Sequence, residues 1–401
     1  MTLPIENLLQ TLSDGPTTAA CAVDPSMRSR RSFRLMAVLL GLLAGAAIAE
    51  VAVRAVGWQP PRFVTKTQLF DRAANPPLYY HCYPSNPHGE FAPLPDVSRG
   101  DWSLTDYTFE ATPLPLSRLG RTPWCVEYRH SSKGIRDREY DSWQAGDQPR
   151  LAVVGDSFVF GEGVPEPLCL PRQLEQRLDG ATICINGGQL GANIEQEQPI
   201  IDALVREAGC RQVIWVVIPN DVPLTPSLAR RQKYINDFVL IRDRYLERDR
   251  DRRWYSGRLR LADVLLSPFE TRQIRRDTTE WYLACYDTAQ NAENLTLMQS
   301  LFAAAAQRTD ARVVLVVYPL LEQLESEYPL QPVHAAIVSM AERAGLPALD
   351  LLPVFAGRSS SSLWVHDSDH HPNGSAHALA AEAVVTWLRR DVPGFLPGDG
   401  P

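Results

Sequence analysis

From residue 150 onward, short apolar runs alternate with longer stretches of helical period. Leu151–Val154, Thr182–Ile185, Val213–Ile218, Val313–Val317 and Ala348–Leu351 are runs of strand length, rich in Val, Ile and Leu. Between them, "LPRQLEQRLDG", "IEQEQPIIDALVREAG", "LTLMQSLFAAAAQRT" and "VHAAIVSMAERAG" bring apolar residues back every three or four positions, the period of an amphipathic helix. "GSAHALAAEAVVTWLRR" closes the series as a last helix. Strands that are apolar throughout are covered on both faces, and strands alternating with helices wind into a parallel sheet. The pattern predicts an α/β domain over residues 149–395: a doubly wound, parallel, five-stranded sheet in three layers, α/β/α. Residues 225–286 break the rhythm with many Arg, Asp, Trp and Tyr, and read as an insertion, a candidate lid or substrate wall.

Ahead of that domain the texture differs. Residues 59–148 are rich in Pro, Tyr and Trp and show no long helical period, which predicts short strands and loops packed as an accessory segment. Residues 1–33 read as a polar tail. "MRSRRSFR" then precedes "LMAVLLGLLAGAAIA", fifteen uncharged residues from Leu35 to Ala49. Glu50 and Arg54 interrupt the apolar pattern, but they stand one helical turn apart, where they can pair. Read through that pair, the helix reaches Trp58, and residues 34–58 are long enough to span a bilayer of about 30 Å. Positive charge before the span and not after it predicts a single-pass anchor, a cytoplasmic N-terminus and a periplasmic or extracellular body. Two other readings stand beside it. Ala47-Ile48-Ala49 has the small-x-small form of a signal cleavage site, although its 34-residue leader is long, and the stretch also suits a buried soluble helix.

The chain has 401 residues, 45% of them hydrophobic, enough for a sizeable core, and its net charge of −7 leaves no basic field for nucleic acid. None of the seven cysteines forms a CxxC, so zinc and thioredoxin spacings are absent. Cys184 and Cys210 lie in or beside apolar segments and read as packing residues. Cys82 and Cys125 lie in polar, aromatic surroundings, and export would allow them to form a disulfide.

Placed on the strand map, polar clusters fall just after strands. The first strand ends in Gly155-Asp156-Ser157; the second runs into "NGGQLGAN", with Asn186, Gly188 and Gly191; the third ends in Pro219-Asn220-Asp221. After the fifth comes "HDSDHHPNG", with His366, Asp367, Asp369, His370 and His371. A parallel sheet gathers such loops at one edge. A serine, an imidazole to take its proton, a carboxylate to orient the imidazole and donors for an oxyanion are what acyl transfer requires. Singly, each cluster is an ordinary turn: Gly188 and Gly191 ease a strand-to-helix turn, and Asp156 caps the segment after the first strand. "HDSDHH" also has metal-ligand chemistry but lacks a second ligand cluster; no metal and no cofactor is expected.

In order and placement these motifs resemble the SGNH hydrolase superfamily, the GDSL-type esterases and lipases, over roughly residues 149–392. The resemblance, which extends to membrane-anchored bacterial members, implies a flavodoxin-like layered fold and Ser157 as nucleophile. It implies an oxyanion hole from the Ser157 N–H, Gly191 and Asn220, and His371 as base, with His370 the adjacent alternative. Two departures stand out: Ile218 replaces the glycine of GxND, and the family's usual acid position is Ser368. Asp369 is the expected orienting acid and Asp367 the fallback. The implied activity is an exported, membrane-tethered esterase or deacylase on acylated carbohydrate or lipid. An O-acyltransferase acting on envelope sugars and a non-catalytic glycan-binding protein are the alternatives. No second transmembrane helix is encoded to feed an activated donor, which favours water as the acceptor.

Overall fold

The computed structural model describes residues 25–57, 67–71, 78–83, 124–131, 133–140, 142–143, 148–232, 258–366 and 369–396. Residues 1–24 of the expected N-terminal tail and Asp367 lie outside them, and residues 25–33, read as tail, are instead the first turns of a helix. The chain divides into two compact units, Met1–Trp58 with Tyr255–Leu265, and Gln59–Trp254 with Leu266–Pro401.

In the first unit, helix α1 runs Pro25–Ala55. Its segment Ser32–Ala55 is 24 residues long, and within it an 18-residue window has mean hydropathy 2.3 with none of the window buried against protein, which is long and apolar enough to cross a membrane. Arg54 Nε donates to Glu50 Oε1 at 2.7 Å, so the two charges pair as their spacing suggests. Glu50 also accepts from the backbone N–H groups of Arg260 (3.0 Å) and Leu261 (2.7 Å). These are donors at the start of a helix that has no earlier turn to bond them.

The second unit is built on five parallel strands: β4 Arg150–Gly155, β5 Ile183–Gly188, β6 Gln212–Val217, β7 Arg312–Val317 and β8 Ala348–Asp350. Their order is β5-β4-β6-β7-β8. All five match the apolar runs of the sequence, and the order is that of flavodoxin-like folds. Leu151–Val154, Val213–Val217 and Val313–Val317 are buried without interruption because helices cover both faces. Those helices are α3 Leu170–Arg177, α4 Ile194–Glu207, α7 Thr288–Ala306, α8 Gln331–Ala344 and α10 Gly374–Asp391, one for each helical stretch read from the sequence. The chain leaves β4 for β5 on one side and returns past it to β6 on the other. The carboxyl end of β4 is therefore the switch point, where open α/β sheets form their crevice.

Before this sheet, β1 Thr67–Asp71, β2 Leu78–Tyr83 and β3 Trp124–Arg129 form a three-stranded antiparallel sheet. Its register sets Cys82 directly opposite Cys125; both side chains lie outside the described residues. The stretch after β3 enters the main core, where Arg172 pairs with Asp137 at 2.8 Å and Asn186 N donates to the same carboxylate. Residues 225–286 supply two helices among the described residues, α5 Pro226–Gln232 and α6 Arg260–Cys285, with the Trp281 indole donating to Leu228 O.

Candidate active site

Strand β4 ends at Gly155, and the chain turns at once into a four-residue helix, α2 Ser157–Phe160. Asp156 is the cap of that turn: its Oδ1 accepts from Phe158 N at 2.8 Å. The turn presses on β5, where a Cβ on Gly188 would lie 2.0 Å from Phe160 N. Gly188 is therefore a close-approach position between backbones, and Asn186 stitches the same junction by accepting from Gly188 N.

The last motif comes in on β10 Asp369–Pro372, antiparallel to β9 Trp364–His366. His371 Nε2 stands 2.9 Å from Ser157 Oγ, and its Nδ1 stands 2.5 Å from Asp369 Oδ1. Asp369 is buried, and the Phe158 ring packs edge-on to the imidazole at 5.6 Å. The two residues after His371 explain "HPN" locally: Pro372 ends the strand, and Asn373 caps α10 by accepting from Ala376 N. Asn373 also donates to the carbonyls of Ser362 and Trp364, pinning both sides of the turn.

His370 has different partners. Its Nδ1 bonds to Glu322 Oε1, and its ring stacks on Trp364 at 3.6 Å. His371, not His370, therefore stands beside the serine.

A cavity of about 100 Å³ opens over Ser157, lined by Asn220, Ile218, Tyr282, Leu320, Glu322 and His370 among others. The "IPND" turn is held by its aspartate: Asp221 Oδ2 accepts from Ile218 N at 2.6 Å, which leaves Asn220 facing the cavity. Gly191 is not among the lining residues. It sits exposed in the turn from β5 to α4 at φ +70°.

Three carboxyl groups lie buried near one another: Asp156, which accepts from Ser157, with Glu197 and Asp221. Burial pushes Asp156 up to about 6 and Glu197 to about 8, and Asp221 well above the usual carboxylate range, each also raised by its acidic neighbours. Glu197 Oε2 accepts from the Trp215 indole at 2.6 Å.

Glu162 belongs to none of the sequence motifs. It is buried, and its Oε2 stands 3.2 Å from His371 Nε2. Its position between two glycines, five residues after Ser157, is in plain view in the sequence; nothing in the local pattern says that the loop turns it back on the histidine. Donor atoms of Glu162, Asp369 and His371 lie within 4.8 Å of one another, the spacing of a metal site. The two carboxylates face opposite nitrogens of one ring, however, so an ion on either nitrogen would meet only one of them. The geometry is that of hydrogen bonding rather than chelation.

Among solved structures, the chain is similar to an α/β hydrolase enzyme from the metagenome of Lake Arreo, Spain, with 12% identity and a TM-score of 0.35 over 61% of this chain and 96% of that one. It is similar to the lipase/acylhydrolase from Enterococcus faecalis (14% identity, TM-score 0.31, 60% and 95% of the two chains). A carbohydrate acetylesterase family member from Sinorhizobium meliloti is similar at 10% identity and a TM-score of 0.34, over 60% and 97%. No protein-family model and no curated protein matches the chain.

Proposed function

We propose that the protein is a membrane-tethered serine hydrolase that cleaves carboxylic esters of carbohydrates or lipids through an acyl-Ser157 intermediate. One observation carries the reading: an unbroken chain of hydrogen bonds from Asp369 through His371 to Ser157, opening onto a cavity beside Asn220. As Ser157 Oγ bonds to the ester carbonyl carbon, its proton passes to His371 Nε2 and the carbonyl electron pair moves onto oxygen. The Ser157 N–H and the Asn220 amide are the proposed donors to that oxyanion. Collapse expels the alcohol oxygen, which takes the proton from Nε2. Water then repeats the cycle, releasing the acid and restoring Ser157. Asp369 keeps the imidazole in the tautomer that leaves Nε2 free to act.

Tethering rests on α1, whose exposed apolar surface comes after a basic run, the arrangement that holds an N-terminus in the cytoplasm and exports the body. The test is turnover of p-nitrophenyl acetate by the purified protein, with and without a concentrated oligosaccharide. Release of acetate into water, lost in Ser157→Ala and cut about 10²–10³-fold in Asn220→Ala, is expected. Turnover only with the oligosaccharide present, yielding acylated sugar, would assign the site to acyl transfer instead.

A further inference from the structure

Nε2 of an imidazole has a single in-plane position for a proton or a lone pair. Here two groups face it: Ser157 Oγ at 2.9 Å and Glu162 Oε2 at 3.2 Å. The serine hydroxyl also has a second acceptor, since Asp156 Oδ2 lies 3.1 Å from Ser157 Oγ. Two proton arrangements therefore fit the same positions. In one, Ser157 donates to Nε2, which bears no proton. In the other, Nε2–H donates to Glu162, and Ser157 turns its proton to Asp156.

Glu162 is held where it stands. Its loop is gripped by the buried Arg136, which donates to the carbonyls of Phe160, Gly161 and Val164, each at 2.6 Å. Gly163 N donates to the Tyr128 hydroxyl, and Glu162 N closes back on Ser157 O at 3.1 Å. A buried carboxylate fixed this firmly against a histidine is not a solvated loop charge.

We propose that Glu162 is a positioning residue for His371: it stabilises the imidazolium formed each time Ser157 gives up its proton, and in the resting enzyme it competes with Ser157 for Nε2. The inference rests on the serine-hydrolase reading above. The proton never leaves the serine–histidine–substrate circuit; Glu162 lowers the energy of the state in which Nε2 carries it. The same charge stabilises imidazolium at rest, so acid holds more of the enzyme in the locked arrangement.

Other groups face His371 as well. They are Asp369 on its own strand and Ser157 and Asp156 at α2. Tyr128 from β3 interacts with Glu162 and Asp369 rather than with the ring, and the His370–Glu322 pair lies at the cavity wall. From α10 comes His377, which burial drives down to about 3, so that it is neutral and adds no charge. Among the described residues, Glu162 is the carboxylate found on the Nε2 edge, at 3.2 Å.

The experiment measures the second-order rate of phosphonylation of the full-length protein by a fluorophosphonate across pH, in the wild type, Glu162→Gln, Glu162→Asp and Ser157→Ala. This reports His371-assisted attack by Ser157 whatever the natural ester. In Glu162→Gln the midpoint of the acid limb is expected about one pH unit lower, with a plateau about tenfold lower. The two profiles then merge in acid, because resting and transition-state imidazolium lose the same stabilisation. Glu162→Asp keeps the charge and restores the midpoint toward the wild type. A Glu162→Gln midpoint equal to the wild type's, with labelling still dependent on Ser157, overturns the role of Glu162 alone. Wild-type labelling that survives in Ser157→Ala, or is absent altogether, overturns the serine-hydrolase reading and this inference with it.

Discussion

His370 and His371 are adjacent and chemically identical, yet they face different carboxylates. Alternation along β10 sends one ring to Glu322 and Trp364 and the other to Asp369 and Ser157. Their substitutions should therefore separate. His371→Ala is expected to lower kcat/KM for a short-chain ester by about 10²–10⁴-fold. His370→Ala should act mainly on KM, with kcat within about tenfold, since it lines the cavity without meeting Ser157. Steady-state kinetics of the two variants checks this; a larger kcat loss in His370→Ala would place the base one residue earlier. The positions of Ser157, Asn220 and His371 could be read from the sequence because short motifs fix their local turns. Glu162 could not, since its place depends on Arg136 and Tyr128, more than twenty residues upstream.

At the scale of elements, the five core strands were legible because burial on both faces leaves continuous Val, Ile and Leu runs, which no helix of the same length needs. The pair β9–β10 left no such trace: three and four residues of Trp, His, Asp and Pro carry no periodicity. Helix α6 was hidden as well, its 26 residues mixing Arg, Asp and aromatic side chains around Pro268. Two of the three glycines of "NGGQLGAN", Gly188 and Gly191, look alike in sequence and have opposite reasons for being there. A methyl on Gly188 would meet the backbone of α2, which has no room to yield, whereas a methyl on Gly191 meets nothing within 4 Å and is disfavoured only by φ +70°. Gly191→Ala is expected to cost about 1–2 kcal/mol. Gly188→Ala should cost more, about 3 kcal/mol or beyond, and should displace Ser157, so that the folded fraction has low kcat. Urea unfolding together with kinetics of the soluble fraction tests the pair, and equal stability losses would contradict this account of the junction.

Across the whole molecule, the sheet edge that gathers the site also gathers buried acid. Asp156, Glu197 and Asp221 belong to three different elements, yet Asp156 raises the proton affinity of both others and Glu197 that of Asp221. A sequence gives no warning of this, because the three lie far apart along the chain and meet only when the sheet closes. The consequence is a stability that falls with alkali. Glu197 ionises near 4.5 when exposed and near 8 in the folded protein, where desolvation outweighs the Trp215 hydrogen bond. Between those values the unfolded chain has released a proton that the native state still holds, so unfolding becomes more favourable as pH rises. The loss begins above about pH 4.5 and is complete once pH passes 8. Asp156 adds to it in the lower part of that window, from 3.8 to about 6. Glu197→Gln keeps an acceptor for the Trp215 indole and removes the ionisation. The variant is expected to gain on the wild type as pH rises from 5 to 8, by on the order of a few kcal/mol. Unfolding monitored by tryptophan fluorescence at several pH values reads the difference, and parallel stability curves for the two proteins would show that Glu197 is ionised throughout.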